Sequence, residues 1–388
     1  MASRPSAFET LIDRTRRLSE SVLADTASQV DQNARWPEES IRALQNHGLA
    51  GLVVPVEYGG HGQGRESVAR ICEQLGIFCA STALCFGMHC VGTACLAAKP
   101  TEQQAHRWLE PIAAGEHLTT LALSEPGTGA HFYIPETRLL NTGGHYVVNG
   151  TKSFVTNGEH ADSYVVSTVG AEEGTELGEF SCVAVPDDAE GLEWTALWKG
   201  IGMRGNAAAT MELRDVRLPS DHLLGAEGEQ IWYVFRVIMP YFLVAMSGTY
   251  LGIAERALRE ARDHLKQRSY SFGGTRPAHS SVVQRDLGRM WQRLESTRRL
   301  IYHAGALGDA GDDQALHTLM SAKAAVAHCA VELVNDAMTM VGGRGYADRS
   351  IFDRLLRDVR AAHVMAPTTQ LLETWVGRSL LDLPILME

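Results

Sequence analysis

Leu121 to Gly158 reads LALSEPGTGAHFYIPETRLLNTGGHYVVNGTKSFVTNG, and its punctuation decides how the rest of the chain is divided. A short apolar run ends at Ser124, and Pro126-Gly127-Thr128-Gly129 follows as a turn of small residues. Such a loop lets backbone N–H groups approach a ligand closely, an arrangement suited to flavin and phosphate oxygens. An ordinary strand-linking turn has the same composition, and on these residues alone the two readings stand level. Further along, Leu139 to Val148 reads as a β-hairpin, with Asn141-Thr142-Gly143-Gly144 as its turn.

Outward from this stretch the β pattern continues as HYVVNG, KSFVTNG, SYVVSTVG, FSCVAVP and TMELRDVRLP, each bounded by turn residues. Several short, antiparallel-looking strands at this spacing predict a small sandwich or barrel over residues 117–228. Residues 1–116 are helical instead, with Leu11, Val22, Val30, Ile41 and Leu44, then Ile71, Leu75, Trp108 and Leu109, at helical spacing. Gly48 to Gly60 interrupts them, because Pro55 and the paired glycines cannot continue a helix. Residues 229–388 return to helices over Val237–Ala254, Ala254–Arg268, Val282–Leu307, Asp313–Val341 and Ile351 to about Leu380, an up-and-down four-helix bundle. The fold class is therefore mainly α with a central β domain.

The chain has 388 residues, with 45% hydrophobic and 21% charged, enough to bury two or three cores. Its 35 Lys+Arg against 46 Asp+Glu give a net charge of −11 and no basic block, which argues against nucleic acid as a partner. Seven Cys are too few for a disulfide scaffold, and Cys72, Cys79, Cys85, Cys90 and Cys95 lack metal-ligand spacing, so they are read as reduced, mostly buried thiols. MASRPSAFETLIDRTRR has no apolar signal core ahead of its charges, and a cytoplasmic protein is expected. The 18 uncharged residues of Val237–Ala254 reach the lower limit for a membrane span, but a single short span containing Pro240 and Gly248 is better read as a buried core helix.

Three motifs are weighed and set aside. Gly200-Ile201-Gly202-Met203-Arg204-Gly205 matches G-x-G-x-x-G, yet AAATMELRDV after it reads as a strand, whereas a dinucleotide site needs a helix N-terminus there. Asp221, at the right distance for a ribose hydroxyl, lies in a loop-like LPSDHLLG. The fifteen His form no H-E-x-x-H or carboxylate-histidine cluster, and no G-x-S-x-G elbow is present.

Over nearly its whole length the sequence resembles the acyl-CoA dehydrogenase family: GLAGLVVPVEYGGHG, SEPGTG, VNGTKSFVTNG, GIGMRG before LRDVRLP, MVGGRGY and RLLRDVR occur in the family's order. The resemblance implies FAD enclosed between the β domain and the C-terminal bundle, and a homotetramer or homodimer. It implies that Leu123 and Ser124 line the flavin, with Thr128 and Gly129 in the same loop. Phe154, Val155 and Thr156 would cover its other side, Phe154 standing where the family often has Trp. Arg268 and Phe272, with Gly342 and Gly343, would reach the cofactor of a neighbouring subunit, and Thr368 and Gln370 would contact it after the catalytic motif.

The catalytic positions depart from the pattern. The family's general base, a Glu taking the substrate α-proton while hydride leaves the β-carbon, matches Ala366 within Met365-Ala366-Pro367-Thr368. The alternative Glu site on the first bundle helix matches Phe242, and the Arg after it matches Leu243. Ala130 replaces a Ser expected on the pyrophosphate, next to His131, and the Arg268-to-Phe272 segment is one residue longer than usual. Ala366 still supplies the backbone N–H that polarises the thioester carbonyl in the family. Among polar residues near the lost positions, Tyr241, Tyr250, His363 and Glu373, His363 has the most suitable intrinsic pKa for a replacement base. The implied substrate is an acyl thioester on CoA or an acyl-carrier protein, with an electron-transfer flavoprotein or O2 as acceptor and an outcome of unsaturation, elimination or oxygenation. The other reading is a catalytically silent subunit paired with an active homologue.

Overall fold

The computed structural model describes residues 7–171, 180–271 and 275–386. The N-terminal part is helical: α1 (Ala7–Leu18) and α2 (Ala24–Gln32) joined by one π-helical turn, then α3 (Glu38–Asn46), α4 (Arg65–Gly76), α5 (Ala80–Ala98), and the short α6 (Glu102–Gln104) and α7 (Glu110–Ala114). Local chemistry sets the boundaries. Thr101 and Gln104 form a reciprocal capping box that starts α6, and Gly115 in the left-handed region ends α7.

The central strands are β1 (Thr119–Ala122), β2 (Arg138–Asn141), β3 (His145–Val155), β4 (Ser163–Gly170), β5 (Phe180–Pro186), β6 (Leu192–Leu197), β7 (Ala209–Pro219) and β8 (Leu223–Leu224). They form one eight-stranded sheet in the order β6-β7-β3-β2-β4-β5-β8, with β1 pairing β4. The hairpin lies where the turn residues place it, with Leu139 opposite Val148. The sheet is mixed, however: β1 and β2 both run parallel to β4. β1 pairs β4 over Ser163–Val166 and β2 pairs it over Val169–Gly170, and the 15-residue segment from Leu123 to Thr137 joins the two. That connection is the small-residue loop.

The C-terminal part holds α8 (Gln230–Tyr233), a π-helical turn, α9 (Met239–Gln267), α10 (Ser281–Ala310), α11 (Ala315–Val341), α12 (Ile351–Val359), α13 (Ala361–Val364) and α14 (Thr369–Leu380). The two helices expected over 237–268 are one, α9. Its apolar half packs on α4 through glycines: a Cβ on Gly248 would stand 2.1 Å from Ala69 O, and one on Gly252 2.4 Å from Glu73 O. Its lack of charge thus reflects burial on several sides. A second uncharged helix, α5, also has the length and apolarity of a membrane span, which the single-span argument overlooked; it too is buried among helices. The expected single helix from Ile351 to Leu380 is broken into three. Pro367 offers no N–H and disfavours the α region at Ala366, and Thr368 then caps α14 by accepting from Leu371 N.

The GxGxxG look-alike leads into β7, as its apolar sequel predicts, and serves as a joint. Met203 N donates to Asp358 Oδ1 at 2.5 Å, and Arg357 donates to Ile201 O at 2.9 Å and in bidentate fashion to Asp31 of α2. A Cβ on Gly202 would meet Arg357 O at 2.2 Å. The motif's glycines therefore allow protein to approach protein, and the three parts of the chain meet at this joint. All seven cysteines are free and buried.

Candidate active site

Ser124 leaves β1 half-buried, and its carbonyl accepts from Ser153 N at 2.8 Å, so the small-residue loop runs beside the end of β3. Under this junction lies a buried ion pair. Lys152 Nζ donates to Glu125 Oε1 at 2.5 Å, to Ser167 Oγ at 3.1 Å and to Leu123 O at 3.4 Å. Glu125 in turn accepts from the backbone N–H of Glu136 (2.6 Å) and Thr137 (3.1 Å), which folds the loop back on itself. Burial pulls the Lys152 ammonium below its ordinary pKa, against the Glu125 charge that supports it. Thr128 sits at the loop's turn with its hydroxyl donating to Glu125 O, and Gly129 (φ +53°) has open space where a Cβ would stand.

The other side of this surface comes from the end of β3 and the turn after it. Phe154 is 57% exposed with φ +56°, and stands edge-on to the exposed Trp198 at 5.2 Å. Val155 and Thr156 are buried, and Thr156 O accepts from Thr120 Oγ1 at 2.9 Å. Asn157, in the left-handed region, accepts from Trp36 Nε1 at 2.9 Å and donates to Cys85 O at 3.0 Å, which ties the turn to the N-terminal helices. Residues 123–129 and 153–157, separate in sequence, are therefore held side by side.

On the bundle side, Met365 meets α9 through Tyr250, whose hydroxyl donates to its Sδ at 3.3 Å. Phe242 is half-buried and Leu243 fully buried on the same helix, eight and seven residues from Tyr250, about 10–12 Å along the axis. Ala366 is half-buried. The segment around it is held from below by Lys323 of α11, which is fully buried and donates to the carbonyls of Ala362 (2.8 Å), Met365 (3.3 Å) and Pro367 (2.9 Å). Burial pushes the Lys323 ammonium down to about 8. His363 Nδ1 lies 3.0 Å from Thr369 Oγ1, and its ring packs edge-on against His328 at 5.1 Å; His328 pairs with Glu373 at 2.9 Å. Burial first, then the charge of His328, lowers the His363 pKa.

The remaining sequence-derived residues lie at exposed ends. Arg268 caps α9 with its guanidinium 5.6 Å from the Tyr270 ring, and Gly342 and Gly343 end α11 with open space at both Cβ positions. Thr368 caps α14 and Gln370 is exposed in its first turn. Phe272 lies outside the described residues.

Residues 6–116, 120–216 and 232–381 match, in that order, the sequence profiles of the acyl-CoA dehydrogenase N-terminal, middle and C-terminal domains. The cyclohex-1-ene-1-carbonyl-CoA dehydrogenase of Syntrophus aciditrophicus is 30% identical over 96% of this chain and 89% of its own. The chain belongs to the acyl-CoA dehydrogenase family. It is thereby an oxidoreductase of the acyl-CoA dehydrogenase type. Its fold matches the butyryl-CoA dehydrogenase of Megasphaera elsdenii at a TM-score of 0.91 and 24% identity, covering 98% of this chain and 100% of that one. A structure of PigA in complex with FAD is similar at a TM-score of 0.88 and 20% identity, covering 98% and 99%.

Reasoning from sequence missed the two buried lysines beneath these segments. Each leaves a trace. Lys323 is the one charge between Leu319 and Val331 of α11, at the spacing of that helix's buried residues, and Lys152 occupies an inward position of β3. A charge at a core position implies a partner, but the partner's identity is set by chain segments far away in sequence.

Proposed function

We propose that this chain binds FAD between the central sheet and the C-terminal bundle and oxidises an acyl thioester carried on CoA or an acyl-carrier protein. The reaction does not use a carboxylate at the family's usual base positions, since Ala366 and Phe242 stand there. Electrons pass to an electron-transfer flavoprotein or to O2, and the protein works in the cytoplasm. The observation that carries this reading is the Ser153–Ser124 backbone bond, which holds the loop of Leu123–Gly129 beside Phe154–Thr156.

The residues fit the cofactor. Gly129 offers an open cradle, Leu123 and Ser124 are half-buried rather than sealed in the core, and Phe154 projects from a left-handed position. Leu123, Ser124, Thr128, Gly129, Phe154, Val155 and Thr156 would hold the cofactor with Thr368 and Gln370, and Arg268, Phe272, Gly342 and Gly343 would hold that of the neighbour in a homotetramer or homodimer. When bound, FAD supplies the hydride acceptor. The chain's own part is to orient the thioester by the Ala366 N–H, to exclude water with Phe242 and Leu243, and to leave proton transfer to a group other than Glu, with His363 the candidate in sequence. Retention of Ser124, Thr156, Arg268 and Thr368 favours an active enzyme over a silent subunit.

Purified protein should be yellow, and its flavin absorbance should bleach anaerobically with an acyl thioester. Exchange of the substrate α-proton in heavy water then tells whether a replacement base acts, and uptake of labelled oxygen into product identifies oxygenation. A colourless protein that takes up no added FAD refutes the reading.

A further inference from the structure

A lysine with no side-chain counter-ion in contact among the described residues lies beneath the segment that carries Ala366. Three carbonyl oxygens, of Ala362, Met365 and Pro367, converge on Lys323 Nζ at 2.8, 3.3 and 2.9 Å, which accounts for all three protons of an ammonium. The acceptors belong to one short stretch that leaves α13 and enters α14. Met365 N still closes the last turn of α13 on Ala361 O at 2.9 Å, but from Ala366 to Thr368 the stretch follows no helical or sheet ladder, so its backbone bonds fix only its start. Lys323 takes over that work from a rigid position within α11, where it is fully exposed to nothing but protein.

The middle contact has an electronic consequence. Met365 O and Ala366 N belong to the same peptide unit. A positive charge donating to the oxygen of an amide draws electron density towards that oxygen, and the N–H of the same amide becomes a stronger donor. In a buried site of low effective dielectric this effect is larger than in water. The Ala366 N–H is the group that the preceding reading assigns to the thioester carbonyl.

We propose that Lys323 is a positioning residue for the acyl thioester: it fixes the 362–367 segment and polarises the Met365–Ala366 amide, so that the Ala366 N–H stabilises negative charge developing on the thioester oxygen. This rests on the acyl-thioester reading of the site. It also gives a physical reason for keeping a costly buried ammonium in an active site that has lost its carboxylate. Without a Glu, charge stabilisation on the carbonyl side carries more of the reaction.

The test uses the FAD-loaded full-length protein and two pantetheine probes, so that CoA and carrier substrates are treated alike. S-acetoacetyl-pantetheine forms an enolate with charge on the thioester oxygen, read by its ultraviolet absorbance. S-butyl-pantetheine, a thioether without a carbonyl, reports binding alone. In Lys323→Met the enolate should bind at least tenfold more weakly, its apparent pKa rising by a unit or more, while thioether affinity and FAD content stay as in the unaltered protein. Lys323→Gln, which keeps donors without charge, should give the same split. Where neither neutral variant folds, Lys323→Arg decides. Its planar fork cannot place donors on three carbonyls that converge on one point, so enolate affinity should fall several-fold with thioether affinity unchanged. Equal losses of both probes, or no loss of either, overturn the proposal. An unaltered protein that holds FAD and binds the thioether but does not favour the enolate overturns the clamp alone; one that holds no FAD and binds neither probe overturns the acyl-thioester reading beneath it.

Discussion

Replacing Lys152 by Met removes the ammonium that Glu125 accepts at 2.5 Å, in a place where the two side chains are 0% and 2% exposed. Removal of one partner from a buried pair typically costs about 3–5 kcal/mol, because the other charge is left without compensation. Glu125 keeps its bonds from the N–H groups of Glu136 and Thr137, which places Lys152→Met near the lower end, about 3 kcal/mol. Glu125→Gln strands the ammonium on Ser167 Oγ and the distant Leu123 O, and should cost about 4 kcal/mol. The double variant holds no buried charge and keeps an amide oxygen for one of the two backbone donors, so its loss should be nearer 2 kcal/mol, most of it one unpaired N–H. The two changes are then coupled by about 5 kcal/mol, far outside the error for independent sites. Urea midpoints of the four proteins, at one concentration and with FAD in excess, measure this. Flavin content should fall in both single variants as the Leu123–Ser124 loop loosens. Additive losses, or a Lys152→Met protein within about 0.5 kcal/mol of the original, would refute the reasoning.

The joint between the three parts of the chain supplies a pH dependence. Burial pushes the Asp358 carboxyl up to about 6, above the ordinary 3.8, so its contribution to stability is complete below about pH 4 and is lost as pH rises through 6. Asp358→Asn, which can still accept from Met203 N, should therefore gain melting temperature relative to the parent between pH 5 and 8, by the equivalent of up to about 3 kcal/mol, and match it near pH 4. A constant offset across that range would contradict the assignment. Gly202→Ala drives a methyl into Arg357 O and should destabilise by about 1–3 kcal/mol without touching nicotinamide dinucleotide binding, for which calorimetry should detect no heat in either protein. Ala366→Glu should bring up ordinary acyl-CoA dehydrogenase activity with an artificial acceptor; a folded, yellow variant without it would mean that position 366 does not face the substrate. Phe154→Ala, at a surface position, should change stability by less than about 0.5 kcal/mol while shifting the flavin absorbance spectrum.

The helix/β/helix order was legible because period and punctuation change at the right places: apolar residues at helical spacing up to Trp108 and Leu109, short β-prone runs such as HYVVNG bounded by turn residues, and long helical runs after Gln230. The hairpin at Asn141–Gly144 was legible from its glycines. What escaped was non-local. Parallel pairing of β1 and β2 with β4 is a property of where a connection returns, which no strand records in its own residues. The break at Ala366–Pro367 was written in Pro367 but hidden by the amphipathic pattern on both sides, since Ile351–Val359 and Thr369–Leu380 each present an apolar face to the same bundle. Loop contacts of Leu123 to Gly129 were legible only through resemblance, because small residues signal permission for close approach and not its target.

The two missed lysines share a design that the family pattern alone does not disclose. Lys152 lies beneath Leu123–Ser124 on the sheet side and Lys323 beneath Met365–Ala366 on the bundle side, and each donates to a backbone carbonyl of a segment proposed to meet a ligand. Each carries a desolvation cost, since burial lowers the pKa of both. Their difference follows from what each loop must do. Lys152 has a carboxylate partner, so its net field is small, which suits a loop that only holds its shape. Lys323 has three neutral acceptors and, among the described residues, no carboxylate partner, so its positive charge stays uncancelled under Ala366, which suits a segment that must meet negative charge during reaction. On that argument a carboxylate introduced beside Lys323 should impair turnover more than it impairs folding, and one removed from beside Lys152 should do the reverse.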